Sequence, residues 1–281
     1  MKPYVNLGCG KRYHPDWINI DITANGPGVI QHDLSKGIPL PDASCDVVYH
    51  AAVLEHMRRG DALIFLRECY RVLKPGGIIR VGVPDLEKLC RLYLSRLQAA
   101  CDGDEEAAHA YDWIMLELYD QAVREKGGGG MKDFLRQDPL PNEAFVYNRI
   151  GEEGRQIIDA LHNRSEPKSK AKKIKLGFSS RLRQRVRALL ASMKRRLIQL
   201  FLGSNDIHAL EVGRFRFSGE VHQWMYDRYS LAQLLVAAGF RDPLVQSPVK
   251  SQIPNWTSFN LDTLPDGRVI KPDLFFMEAT K

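Results

Sequence analysis

The sequence lacks the cysteine and histidine spacings that hold disulfide frameworks or structural metals. Its five cysteines are an odd number, widely scattered, with no Cys-x-x-Cys pair. Its eight histidines form no His-Glu-x-x-His or comparable ligand spacing. A disulfide-stapled secreted domain and a zinc module are therefore disfavoured, and the sequence predicts no metal.

Long apolar runs are also missing. No run approaches the roughly 18 residues of a membrane-spanning helix, and the first eight residues lack the apolar stretch of a secretory signal. We therefore expect a cytoplasmic location. With 44% hydrophobic and 26% charged residues in a chain of 281, the composition predicts a globular protein built as one elaborated domain or as a core with an insertion.

Acidic residues are nearly absent from one segment, residues 164–203. This segment holds 13 Lys or Arg and one acid, Glu166, and so carries a charge of +12. Because the whole chain carries +6, the other 241 residues carry 6 − 12 = −6. One segment makes the protein basic, and the rest is mildly acidic.

Short apolar strands alternate with helical patterns in two parts of the chain. The predicted strands cover residues 4–7, 17–21, 29–32, 46–49, 77–83, 244–246 and 274–279. Residues 61–74 have apolar positions at helical spacing, and the Lys-Pro-Gly-Gly at 74–77 ends that helix. This rhythm predicts an α/β fold, a Rossmann-like, doubly wound, mostly parallel seven-stranded sheet.

The alternation stops between residues 100 and 217. That stretch holds a predicted helix over 107–126, a glycine run at 127–130 and the basic segment, and a helical region over 222–240 follows it. We therefore predict a core formed by residues 1–99 and 218–281, with residues 100–217 as an inserted α-helical subdomain.

Two glycines and two acids mark the ends of the first three strands. Gly8 and Gly10 let the backbone turn tightly and approach a ligand closely. The carboxylate of Asp21 follows the second strand, at the sheet edge where ligands bind, and can accept both ribose hydroxyls of an adenosine. Asp33 and Leu34 follow the third strand, where they can accept the adenine amino group and pack against the ring.

These ordered elements, together with the Leu-Lys-Pro-Gly-Gly at 73–77, resemble class I S-adenosylmethionine-dependent methyltransferases. The resemblance covers residues 4–85 strongly and 219–281 more loosely. The Leu-Gly-Cys-Gly at 7–10, the Trp-Ile-Asn-Ile-Asp at 17–21 and the Leu-Glu-His at 54–56 are similar to those of bacterial members associated with glycan or cell-surface polysaccharide biosynthesis. The resemblance implies S-adenosylmethionine as cofactor and a small-molecule, glycan or lipid-linked acceptor.

The resemblance also implies roles for individual residues. Gly8 and Gly10 would border the methionine part and the ribose, and His50 would lie beside the sulfonium. The implied cofactor-binding residues are Asn6, Gly8, Gly10, Asp21, Asp33, Leu34 and His50. Asn6 stands where the family usually has an acid, so its contact with the cofactor ammonium would be uncharged or mediated by water.

Only ten residues, 8–17, join the first two strands, which is slightly short for a parallel crossover. A first helix there can have one or two turns at most. The methionine end of the cofactor is then either less covered on one side or covered by the inserted stretch.

Dinucleotide-dependent oxidoreductases are the nearest competing class. Their fingerprint has a third glycine, where this chain has other residues, and an acid about 20 residues further on. The acid here comes 11 residues after Gly10. Methyl transfer is therefore favoured over hydride transfer.

Two histidines are the candidates for a catalytic base, because an acceptor that loses a proton benefits from one. His222 is the first candidate, since it precedes the helical region that returns toward the strand ends, and His56 is the second. For each, the alternative is a histidine that only packs or hydrogen-bonds.

The basic segment contains an amphipathic pattern near residues 181–202. Apolar residues recur there at helical steps, with arginines and lysines on the other faces. Such a helix can dock on its own core or bind an anionic membrane surface as a peripheral protein. Nucleic acid is disfavoured as a partner because the rest of the chain is net negative. A non-catalytic adaptor that keeps the fold, and a nucleic-acid methyltransferase, remain alternative functions.

Overall fold

The structure is a computed structural model that describes residues 4–162 and 203–281. Its centre is a seven-stranded sheet in the order β3-β2-β1-β4-β5-β7-β6. The strands are β1 (Tyr4–Leu7), β2 (Ile18–Asp21), β3 (Val29–Gln31), β4 (Cys45–Ala51), β5 (Leu73–Pro84), β6 (Arg241–Gln246) and β7 (Leu274–Thr280). The first five pair in parallel, and β7 runs antiparallel to both β5 and β6. The predicted Rossmann-like, mostly parallel sheet is confirmed.

Both faces of the sheet are covered, which explains why its central strands are apolar almost throughout. Along β4, Val48 belongs to one hydrophobic cluster, which is packed under helices. Its neighbours Val47 and Tyr49 belong to a second cluster on the opposite face, because successive strand side chains alternate. The sheet therefore has two separate cores.

Helices follow the strands and form the middle of the chain. They are α1 (Arg59–Val72), α2 (Leu86–Cys101), α3 (Glu105–Met115), α4 (Gln121–Val123), α5 (Gly129–Leu135), α6 (Glu143–Leu161), α7 (Ser204–Arg216) and α8 (Arg228–Ala238). α1 ends two residues before the predicted position, because residues that precede a proline favour extended backbone and Pro75 follows. The predicted helical region at 222–240 is helical only from Arg228, and the residues before it are largely extended.

The middle helices have a hydrophobic cluster of their own. Trp113, Leu135, Leu140, Val146 and Ile158 are its buried members. The division into a core and an insertion stays a prediction, which this separate cluster supports. The predicted basic helix near 181–202 lies outside the described residues. Among those described, no helix combines the length and apolar character needed to cross a bilayer.

The connection between β1 and β2 contains turns and no helix, in agreement with its short length. The sheet face beside it is covered instead by aromatic side chains from the C-terminal part of the chain. Trp256, in a 3-10 turn at Trp256–Phe259, meets Trp17 and Tyr49 with ring centroids 6.1 and 5.1 Å apart. A distant segment thus takes the place of a first helix.

Candidate cofactor and acceptor site

The predicted glycine loop leaves β1 at the carboxyl edge of the sheet. Gly8 and Gly10 both have positive φ, +64° and +53°. A Cβ on Gly8 would lie 2.4 Å from Cγ2 of Val53, so only glycine fits there. A Cβ on Gly10 would meet no atom within 4 Å. The backbone at Gly10 therefore borders open space that a ligand can approach.

Asp21 holds this loop in place from the end of β2. Its Oδ2 accepts a hydrogen bond from the Gly10 amide at 2.8 Å. Its Oδ1 accepts two, from the amide and the hydroxyl of Thr23, both at 2.9 Å. A carboxylate has about four acceptor positions, so one remains for a ligand hydroxyl, and a second becomes free only when the Thr23 hydroxyl turns away.

Asp33 and Leu34 lie at the start of a 3-10 turn, Leu34–Lys36, after β3. The Asp33 carboxylate accepts hydrogen bonds from the amide and hydroxyl of Ser35. These bonds lower the pKa of Asp33 and keep it ionised as an acceptor. Its side chain remains 40% exposed, so a ligand amino group can reach it. Leu34 lines the cavity described below.

Asn6 and His50, two further predicted cofactor residues, have buried side chains. The side-chain amide of Asn6, which is 2% exposed, donates a hydrogen bond to the carbonyl oxygen of Arg12 at 2.9 Å. This bond stabilises the loop that follows β1. His50, with no exposed surface, packs edge-on against Phe65 with centroids 5.2 Å apart. A contact between the His50 ring and the cofactor stays a prediction.

A cavity of about 530 Å³ opens next to Leu34, between α1 and the C-terminal end of α7. Its apolar wall includes Met57, Ile64, Phe65 and Phe217, and its charged groups come from Arg58, Asp61, Glu68 and Arg216. His56 and Gln223 line it as well. A cavity of this size and mixed polarity suits a small organic molecule.

His56 and His222, the two predicted catalytic residues, lie together, and His56 lines this cavity. Their ring centroids are 4.8 Å apart in an edge-to-face arrangement. Glu55 completes a cluster in which one ligand-capable atom from each of the three residues lies within 4.8 Å of the others. Glu55 and His222 are 1% and 7% exposed, and His56 is half-buried.

Backbone hydrogen bonds hold these residues together although they are far apart in sequence. Glu55 and His56 belong to a 3-10 turn, Leu54–His56, directly after β4. The carbonyl oxygen of Glu55 accepts the amides of Gln223 and Trp224 at 2.6 and 3.2 Å. The amide of His222 donates to Gln121 at 2.9 Å. Residues 222–224 are thus held between the turn Leu54–His56 and α4.

Burial changes the pKa of all three groups. It raises the pKa of Glu55 to about 7, because a buried carboxylate loses its hydration. It lowers the pKa of His222 to about 3, with a further contribution from the neighbouring His56, and lowers that of His56 too. Both imidazoles are therefore neutral at pH 7, and Glu55 is close to half ionised.

Sequence reasoning found the two histidines and missed Glu55 and Tyr226. Tyr226 is 2% exposed, its hydroxyl has no hydrogen-bond partner, and burial raises its pKa to about 12, with Glu55 as the next cause. The Leu-Glu-His at 54–56 carried the signal for Glu55. A glutamate is seldom fully buried, so a glutamate between two apolar-flanked residues shortly after a buried strand is a signal.

Known proteins are similar to the part of the chain that includes the glycine loop. Residues 7–81 match the model of a family described as a methyltransferase domain. A probable S-adenosylmethionine-dependent methyltransferase of Mycolicibacterium smegmatis is 38% identical over 98 residues, which cover 29% of this chain and 37% of that protein. One from Mycobacterium tuberculosis is 46% identical over 57 residues, 20% of each chain. The matches thus span little more than a third of these relatives.

Two solved structures cover nearly the whole chain at low similarity. They are S-adenosylmethionine-dependent methyltransferases from Thermotoga maritima and Archaeoglobus fulgidus, each 12% identical, with TM-scores of 0.38 and 0.37. They cover 100% and 99% of this chain, which in turn covers 83% and 85% of them. The fold is defined by the strand order of the sheet and not by these two structures.

The described residues fit the cofactor that these matches imply. Open space at Gly10, a remaining acceptor position on Asp21 and the exposed Asp33 carboxylate lie at neighbouring strand ends. The match of residues 7–81 to the model of a methyltransferase domain supports the prediction of an enzyme and of S-adenosylmethionine as its cofactor.

Proposed function

We propose that the protein transfers a methyl group from S-adenosylmethionine to an acceptor bound in the cavity beside His56. The observation that carries this proposal is the glycine loop held by Asp21 at the carboxyl edge of the sheet. Leu34, a predicted adenine contact, lines the cavity. The bound cofactor supplies a methyl group already activated on a sulfonium sulfur. The protein's task is mostly to position the acceptor.

Each residue at the sheet edge then has a defined task. The backbone at Gly10 and the carboxylate of Asp21 hold the ribose, and Asp33 with Leu34 holds the adenine. The neutral rings of His222 and His56 can take up an acceptor proton on a ring nitrogen. Burial lowers the pKa of His222 to about 3, so its ring is a weaker proton acceptor than an exposed imidazole.

For the acceptor we propose a small molecule, with glycan or lipid-linked intermediates as the classes that the sequence resemblance favours. The support is a cavity with both apolar walls and guanidinium groups. Peripheral binding to an anionic membrane through residues 181–202 is a second part of the proposal, supported by the basic sequence pattern alone. Sedimentation with anionic and neutral vesicles tests it, and equal recovery with both would contradict it.

The cofactor site is tested by titration calorimetry with S-adenosylhomocysteine. We expect the wild type to bind, and Gly10→Ala to bind at least about tenfold more weakly, since its Cβ enters the space beside the loop. Gly28→Ala is the matched control. Gly28 also has positive φ, +79°, with no atom within 4 Å of a Cβ, but it precedes β3 and so lies at the opposite edge of the sheet.

Both substitutions carry similar backbone strain, so both should lower thermal stability to a similar extent. Only Gly10→Ala should weaken the ligand. The absence of measurable heat with the wild type, or equal weakening by both variants, would contradict the proposed cofactor site. Incubation with cofactor labelled in the methyl group and fractionated cell extract then identifies the acceptor by the fraction that gains label.

A further inference from the structure

We propose that Glu55, His56 and His222 form a binding site for a divalent transition-metal ion, with Zn²⁺ as the first candidate. The three residues come from two segments 166 residues apart, so no spacing in the sequence could reveal the set. Their donor atoms lie within 4.8 Å of one another. A carboxylate with two imidazoles is a ligand set found in catalytic zinc sites.

Unpartnered buried atoms are the second observation. Oε2 of Glu55 and Nδ1 of His56 are both buried without a hydrogen-bond partner. A buried polar atom without a partner lowers stability, so native structures rarely leave two at one place without a ligand for them. A metal ion bound between them satisfies both at once.

One nitrogen of His56 is available to a metal ion. Nδ1 is buried without a hydrogen-bond partner, so its lone pair can serve as a ligand. The backbone of Val221 raises the pKa of His56, against the larger lowering by burial, so a backbone group lies near the ring. Histidine ligands of metals typically donate their other nitrogen to a backbone carbonyl or a carboxylate.

The distances and charges allow a metal ion. Ligands at 2.0–2.1 Å from a tetrahedral zinc lie about 3.4 Å apart, so the side chains have to close by at most roughly 1.4 Å. The nearby cations Arg124 and Lys271 are each paired, with Asp120 at 2.8 Å and Glu153 at 3.1 Å. Their charges are therefore largely balanced. The ionised Glu55 then offsets part of the metal charge.

Nitrogen donors decide the type of metal. Mg²⁺ and Ca²⁺ prefer ligand sets made of oxygen, whereas imidazole suits zinc, iron, copper and nickel. Three protein ligands leave the fourth coordination position of a tetrahedral ion open. His56, one of the three, also lines the proposed acceptor cavity. This step rests on the proposed function: an acceptor oxygen or nitrogen takes that position, and the metal lowers its pKa so that it loses its proton to solvent before methylation. With the metal bound, His56 and His222 act as ligands instead of as bases.

The experiment uses the full-length protein after chelator treatment and dialysis. Titration with Zn²⁺ should show one saturable site, and Co²⁺ should give the intense visible absorption of a four-coordinate ion. Glu55→Gln and His222→Gln should each bind Zn²⁺ at least about tenfold more weakly, because each removes one of three ligands. His208→Gln is the control, since exposed His208 lies 3.7 Å from Glu125 and offers a comparable surface pair.

Absence of saturable Zn²⁺ binding by the wild type, or equal affinity in the wild type and both ligand variants, would overturn the proposal. Circular dichroism checks that each variant is folded. If both ligand variants misfold, the Co²⁺ spectrum of the wild type decides, and featureless visible absorption rejects the site. Titration of the chelator-treated protein with S-adenosylhomocysteine tests the proposed function separately, because no proposed metal ligand belongs to the cofactor site.

Discussion

His50 is a single residue whose burial has a measurable consequence. Its ring has no exposed surface, and neither nitrogen has a hydrogen-bond partner. Burial lowers its pKa from 6.5 to about 3, because the imidazolium would lose its hydration and gain no partner. In the unfolded chain the ring regains its ordinary pKa. Between these two values the unfolded state binds more protons than the native state.

Replacement of His50 should therefore remove part of the acid sensitivity of the protein. The free energy of unfolding of the wild type should fall by about 1.4 kcal/mol per pH unit from this residue as the pH drops below 6.5. His50→Gln should lack this contribution. Urea unfolding at several pH values measures it as the difference between the two proteins, in which the opposite effect of Glu55 cancels. Parallel pH profiles would contradict the prediction.

At the scale of elements, the loop after β1 is packed against the turn after β4. The contact is between Gly8 and Val53, and a Cβ on Gly8 would overlap the Val53 side chain. The loop after β1 and the turn after β4, which both belong to the candidate site, are thus held in a fixed relative position. The distance between the cofactor loop and the Glu55 cluster depends on this contact, because Val53 directly precedes the turn Leu54–His56.

A double-mutant cycle can separate the overlap from the backbone strain. Gly8→Ala should destabilise the protein through both, with about 1–2 kcal/mol from the left-handed backbone. In a Val53→Ala background the overlap is relieved, so Gly8→Ala should cost measurably less free energy of unfolding there than in the wild type. If its cost is the same in both backgrounds, the two elements are not in contact as described.

The sequence predicts the strands better than it predicts the contacts between segments that are far apart in the chain. All seven strands were found, because each is a short apolar run bounded by turn residues. Gly10, Asp21 and Asp33 were placed at one edge, because parallel strands end at the same edge. Glu55 beside His222 was not foreseen, since that contact depends on the amides of 223 and 224 reaching the carbonyl oxygen of Glu55. Such backbone contacts between distant segments leave no pattern in a sequence.

At the scale of the whole molecule, one arginine joins the sheet to the segment that replaces a first helix. The five donor positions of Arg80 are all used. They bind Asp262 twice, Glu278, and the carbonyl oxygens of Ser247 and Lys250. The guanidinium lies between the rings of Trp256 and Phe276, 4.5 and 4.7 Å from their centroids. One buried cation thus links β5 to β7 and to the segment after β6.

Removal of this cation should destabilise the whole fold. Arg80→Met leaves Asp262 and Glu278 buried without their counter-ion, and loss of one partner of a buried ion pair costs about 3–5 kcal/mol. Urea unfolding should show a lower midpoint with an unchanged slope. Arg268→Met is the control, because Arg268 forms exposed pairs with Glu152 and Asp266 and should change the midpoint little. Equal effects of the two substitutions would mean that the Arg80 network does not hold the segment on the sheet.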